Sequence, residues 1–144
     1  MSELDDVGPI DYIVLEWAGE PRGEVAPLLL DLVERGIIRV LDIAFMTKDP
    51  DGTVTAIDIG DLPAAAELFA EFEGAASGLL GLVDLEAAAA ALEPGTSAAV
   101  LVWENRWAAP IARALRESGG QLVASGRIPV QAILASLDAL EPTT

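Results

Sequence analysis

The 144-residue chain carries 24 acidic and eight basic residues, no histidine and no cysteine, for a formal charge of −16 with 52% apolar residues. That length suits one domain, and the apolar share supports a core that a disordered chain lacks. The composition excludes disulfides, thiolate or imidazole metal sites, a Cys nucleophile and a Ser-His-Asp triad, and the acidic balance argues against nucleic acid and anionic membrane surfaces.

Residues 1–8 read as a flexible acidic tail, ahead of a single α+β domain over 9–144. A secretory leader starts basic and turns apolar; this tail is acidic, so the expected location is cytoplasmic. The run from Pro9 to Trp17 is β-branched and aromatic and predicts a first strand. Val25, Leu28, Leu29, Leu32 and Val33 form a helical stripe over 24–35, ended by Gly36. Ile37 to Lys48 predicts a long strand, Asp49-Pro50-Asp51-Gly52 a turn, and Thr53 to Ile59 the returning strand.

Pro63 opens the next helix, with Leu68, Phe69 and Phe72 on its apolar side. Residues 74–83 are small and apolar, and Asp84 is placed as the N-cap of an Ala-rich helix over 85–92. A strand over 97–104 and a helix over 107–118 follow. Gln121 to Ala124 predicts a short strand, and Pro129 begins a terminal helix with Val130, Ile133, Leu134 and Leu137 along one side. No apolar run reaches the roughly 18–20 residues that span a bilayer, so no integral membrane span is expected.

The order β-α-β-β-α-β predicts a ferredoxin-like, split β-α-β antiparallel sheet, with additional C-terminal α-β-α elements. Both faces of its strands are apolar: Ile10, Tyr12 and Val14 oppose Ile13, Leu15 and Trp17, and Val100 and Val102 oppose Leu101 and Trp103. A solvated face alternates to polar residues. The face left open by the first helices therefore needs a cover: the terminal helix, the segment 74–92, or a second copy of the chain. A homo-oligomer is the expectation, because exposed apolar patches usually mark interfaces. Residues 49–104 hold 11 acids and no base, which reads either as a solvated surface or as a docking face for a basic protein partner.

Carboxylates are the abundant reactive groups. Asp11, Asp42 and Asp58 sit inside strands, an unusual place for a short charge; an acid/base or metal site is one reading, and a structural ion pair with a strand base such as Arg39 the stronger one. Glu16 and Glu104 lie at opposite ends of neighbouring strands, too far apart to act on one bond. Asp49 to Gly52 lacks the ligands of a calcium loop, so no metal and no cofactor is expected. Trp103, Asn105 and Trp107 at a strand-to-helix junction, together with Arg127 before the last helix, form a candidate ligand-binding set; an N-cap and core anchors explain them equally. Trp17, Gly74, Gly78 and Gly81 are candidate interaction residues, the glycines by allowing close backbone approach.

Gly8-Pro9-Ile10-Asp11-Tyr12, Arg35-Gly36-Ile37-Ile38-Arg39-Val40-Leu41-Asp42, Ala75-Ala76-Ser77-Gly78-Leu79-Leu80, Trp103-Glu104-Asn105 and Ala124-Ser125-Gly126-Arg127-Ile128-Pro129 resemble an uncharacterised bacterial family of unknown function, over nearly the whole chain. That family is distantly similar to a membrane-associated, glycine-zipper general stress protein family, whose glycine-rich hairpin is shortened here to Gly74–Val83. The resemblance implies a small α+β oligomer with a stress-related or envelope-related role and supplies no catalytic residue. The expected function is a non-enzymatic oligomeric scaffold or protein-interaction module. The alternative is a small-ligand-binding regulatory module using the Trp103–Trp107 loop.

Overall fold

The structure, a computed structural model, describes residues 7–124, 128 and 130–140. Four strands build one sheet: β1 (Ile10–Ala18), β2 (Ile38–Lys48), β3 (Val54–Ile57) and β4 (Thr96–Asn105). Four α-helices accompany them: α1 (Ala26–Glu34), α2 (Leu82–Ala89), α3 (Ala109–Glu117) and α4 (Val130–Leu140). The helix expected after Pro63 is wound instead as 3-10 turns over Ala64–Ala75. The strand expected at 121–124 is not formed: these residues follow the Gly119-Gly120 helix stop and pair with no strand of the sheet.

Local chemistry sets the ends of these elements. Gly36 and Gly119 have φ of +72° and +84°, the left-handed geometry in which glycine carries no Cβ penalty. Each lets the next residue reach back five positions, Ile37 N–H to Leu32 O and Gly120 N–H to Leu115 O, satisfying carbonyls the helix leaves open. Asp84 is not the N-cap of α2 but its third residue; its carboxylate accepts the N–H of the capping Gly81 at 2.9 Å. The Asp49–Gly52 turn is closed by the Gly52 N–H donating to Asp49 O at 2.8 Å.

The sheet order is β1-β4-β2-β3, with every neighbouring pair antiparallel. β1 and β2 thus run parallel, joined through α1 and split by one inserted strand. In a ferredoxin-like sheet the inserted strand is the third; here it is β4. Burial agrees with the place of β4: it is buried along nearly its whole length, whereas β1 leaves Asp11, Tyr12 and Glu16 exposed. β2 also departs from the regular alternation of side chains along a strand. The β2–β4 register shifts between Val40 and Asp42, so Leu41 is an extra, bulged residue. Ile38 and Val40 consequently join Ile43 and Phe45 on one face instead of opposing them.

Helical segments pack on both faces. On the first, α1 and the 3-10 turns pack Ala26, Leu29, Phe69 and Phe72 against Ile43, Phe45, Ala99 and Leu101. Phe69 meets the rings of Phe45 and Trp17 edge-on at 5.1 and 6.3 Å, contacts that contribute about 1 kcal/mol each beyond area burial. On the second face, α2 places Leu85 and Ala89 over Met46, Ala98 and Val100. No residue of α4 is buried.

Candidate functional site

The junction after β4 brings three of the four expected ligand-binding residues together. Asn105 is the hub. Its Oδ1 accepts the indole N–H of Trp103 at 3.0 Å and of Trp107 at 3.3 Å. Its Nδ2 donates to Pro9 O at 3.1 Å and to Asp11 Oδ2 at 2.7 Å. Its backbone N–H donates to Pro9 O as well. Both polar atoms of the side chain are thus committed to protein partners, and the side chain does not cap the following helical turn. Trp103 lies against the first core, while Trp107 is 60% exposed. Arg127 and the Ser125-Gly126 step lie outside the described residues, as do residues 1–6 of the expected tail; Val7 O accepts Arg116 Nη2 at 3.2 Å.

Glu104, one residue earlier, is 5% exposed and ties the same corner from the other face. Its Oε1 accepts Arg39 Nε and its Oε2 the Gly8 N–H, both at 2.8 Å. Glu16 sits at the far end of the sheet, paired with Ala98 while Glu104 pairs with Ile10, so the two acids are well separated.

Asp42 is buried directly after the β2 bulge. Oδ1 accepts the N–H groups of Ile43 (2.9 Å) and Ser77 (3.0 Å), and Oδ2 that of Leu80 (2.6 Å). Ser77 Oγ donates to Leu41 O at 2.6 Å. The carboxylate therefore pins the small-residue loop to the sheet. Asp11 serves Asn105, and Asp58, expected inside a strand, falls one residue past the end of β3, exposed ahead of a short 3-10 turn; the three acids do not form one site. Among the described residues no group of three or more acids could hold a metal ion.

The glycines of the loop do not create close backbone contacts. A Cβ added at Gly74 or Gly78 meets nothing within 4 Å, and at Gly81 only Asp84 Oδ2 at 3.8 Å. Gly78 is required for its φ of +76°. Trp17, half-buried, packs against the first core through its edge-on contact with Phe69.

A groove of about 400 Å³ lies on the second face, between β1 and α2. Ile10, Tyr12, Leu80, Ala87, Ala88, Val100 and Val102 line it, with Asp11 and Asp84 as its acids. The α2 helix covers the β2 side of this face and stops short of the β1 side, leaving Ile10 54% and Tyr12 72% exposed. Sequence periodicity showed that this face is apolar; how far α2 reaches across it depends on where β4 inserts.

These features define an α+β protein with an antiparallel four-stranded sheet, whose buried polar groups brace its loops. The chain belongs to the family of unknown function DUF6325, whose model matches residues 6–142. No curated protein and no solved structure matches it. No helix among the described residues is long and apolar enough to cross a membrane.

Proposed function

We propose that the chain is a non-enzymatic protein-interaction module that works as a homo-oligomer. One observation carries this reading: the β1 side of the second sheet face, where Ile10 and Tyr12 lie open beside an apolar groove. Exposed apolar surface rimmed by acids is costly in water and becomes favourable when a partner covers it. The uncovered α4 adds Val130, Ile133, Leu134, Leu137 and Leu140 to the apolar surface. A small ligand at Trp103–Trp107 has less support, because the polar atoms of the Asn105 side chain are already engaged. A basic protein is the complementary further partner for residues 49–104, and a stress-related setting comes with the family resemblance.

Light scattering after gel filtration tests the reading, run across a dilution series at two salt concentrations. The expected result is a defined multimer that persists on dilution. A monomer at every concentration and salt overturns it.

A further inference from the structure

Strand β1 lies at the sheet edge, with β4 on one side and no strand on the other among the described residues. It is nine residues long, apolar on both faces, and has proline only before its first residue. Such an edge is normally blunted by charge, proline or a bulge. Here neither acid of β1 guards the edge. Asp11 accepts Asn105 Nδ2, and Glu16 Oε2 accepts the N–H of Glu93 at 2.8 Å. Both carboxylates are turned back onto their own domain.

The ladder also says which backbone groups are open. Asn105 N–H donates to Pro9 O, so Pro9 and Asn105 form a hydrogen-bonded pair. Antiparallel ladders alternate, so Asp11, Ile13, Leu15 and Trp17 face β4. The N–H and C=O groups of Ile10, Tyr12, Val14, Glu16 and Ala18 therefore point away from the sheet.

From this we infer that two copies join through β1, antiparallel about a two-fold axis at Val14, making one continuous eight-stranded sheet. The inference rests on the oligomeric reading above and names its contact. The pattern is self-complementary in this register. Val14 faces the partner's Val14, Tyr12 faces the partner's Glu16, and Ile10 faces the partner's Ala18. All three are pairs whose backbone groups are open. Between them, Ile13 faces the partner's Leu15 and Asp11 faces the partner's Trp17. No acid stands opposite an acid, although each copy carries a charge of −16. A parallel, in-register pairing would stack Asp11 on Asp11 and Glu16 on Glu16, which disfavours that alternative. Ile10 and Tyr12, the exposed apolar residues of β1, gain neighbours in the same step, and the arrangement is isologous, as a closed dimer requires.

Amide hydrogen exchange read by NMR on the wild-type protein tests this, with mass measured on the same sample. The expected result is a dimer in which Tyr12, Val14 and Glu16 exchange about a hundredfold more slowly than unpaired amides, matching Ile13 and Leu15. Two single-cysteine variants give a second readout, since the chain has no native thiol. Val14→Cys places two Cα atoms about 5.5 Å apart, within disulfide range, and cross-links under oxidised glutathione. Tyr12→Cys, though more exposed, sits about 14 Å from its equivalent and does not. Fast exchange at Tyr12, Val14 and Glu16 in a multimeric sample overturns the edge pairing and leaves the oligomeric reading standing. Equal cross-linking of both variants does the same. A monomer overturns both.

Discussion

The Asp42 carboxylate and the Leu80 amide meet at 2.6 Å, across 38 residues of sequence. With the Ser77 amide on the other oxygen, this contact fastens the loop between the 3-10 turns and α2 to the bulge of β2. Asp42→Asn keeps the shape but turns one acceptor into a donor facing N–H groups. The expected loss is about 2 kcal/mol, seen as a fall of roughly 5–10 °C in Tm, with faster amide exchange at Ser77 and Leu80. An unchanged Tm would remove the loop-anchoring role.

Asn105 spans four partners, two of them indoles. Asn105→Ala leaves the Trp103 N–H without its acceptor in a half-buried site and frees Asp11. The expected cost is about 2–3 kcal/mol, with a changed Trp emission spectrum while far-ultraviolet circular dichroism stays native. Asn105→Asp sets a second carboxylate against Asp11 and should cost at least as much.

Gly8 enters the fold where only hydrogen fits. A Cβ there would run into the Asn105 carbonyl oxygen, and the same residue's N–H serves the buried Glu104. Gly8→Ala is expected to destabilise by about 1–3 kcal/mol in chemical denaturation, through forced displacement of backbone. Arg39→Met, which removes a half-exposed partner of Glu104, should cost less than Glu104→Ala, which strands both Arg39 and the Gly8 N–H.

Asp51 gives the β2–β3 turn a pH dependence. The Thr53 backbone N–H and then its side-chain hydroxyl hold the carboxyl below its ordinary value of 3.8. Because the folded value is lowered, the stabilisation is present above 3.8 and is lost as pH falls through the folded-state value. A carbon-detected NMR titration should place the Asp51 midpoint below those of exposed aspartates, and Asp51→Asn should abolish the acid-side change at Thr53.

The four strands of the sheet were legible because period-two runs and turn residues are local signals, Asp49 to Gly52 marking the hairpin between two β-branched runs; the short run at 121–124 carried the same signal and forms no strand. The Trp103–Asn105–Trp107 cluster was legible too, since its members lie two residues apart. Strand order was not. Which edge β4 seeks depends on partners dozens of residues away, and both insertions give antiparallel pairs. Leu41 looks like any alternating residue, and the bulge shows only once Val40 and Asp42 are paired with Trp103 and Val102. Asp42 stood out as a charge inside a strand, but the donors that explain it arrive 35 and 38 residues later. The glycines of 74–81 suggested packing; Gly78 serves backbone geometry instead.

The central place of β4 has a consequence for synthesis. The first three strands emerge from the ribosome before the strand that joins β1 to β2, so the hairpin and β1 have no common ladder until residue 105 has been made. Until then two apolar strand edges, which the finished sheet hides, stay open in the nascent chain. Closure must also wait for long loops to be drawn in, the kind of topology that folds slowly and is exposed to misassociation while it does. The net negative charge of the emerging chain, in which residues 49–104 bring acids alone, is then a safeguard: unfinished copies repel one another while their edges are unpaired.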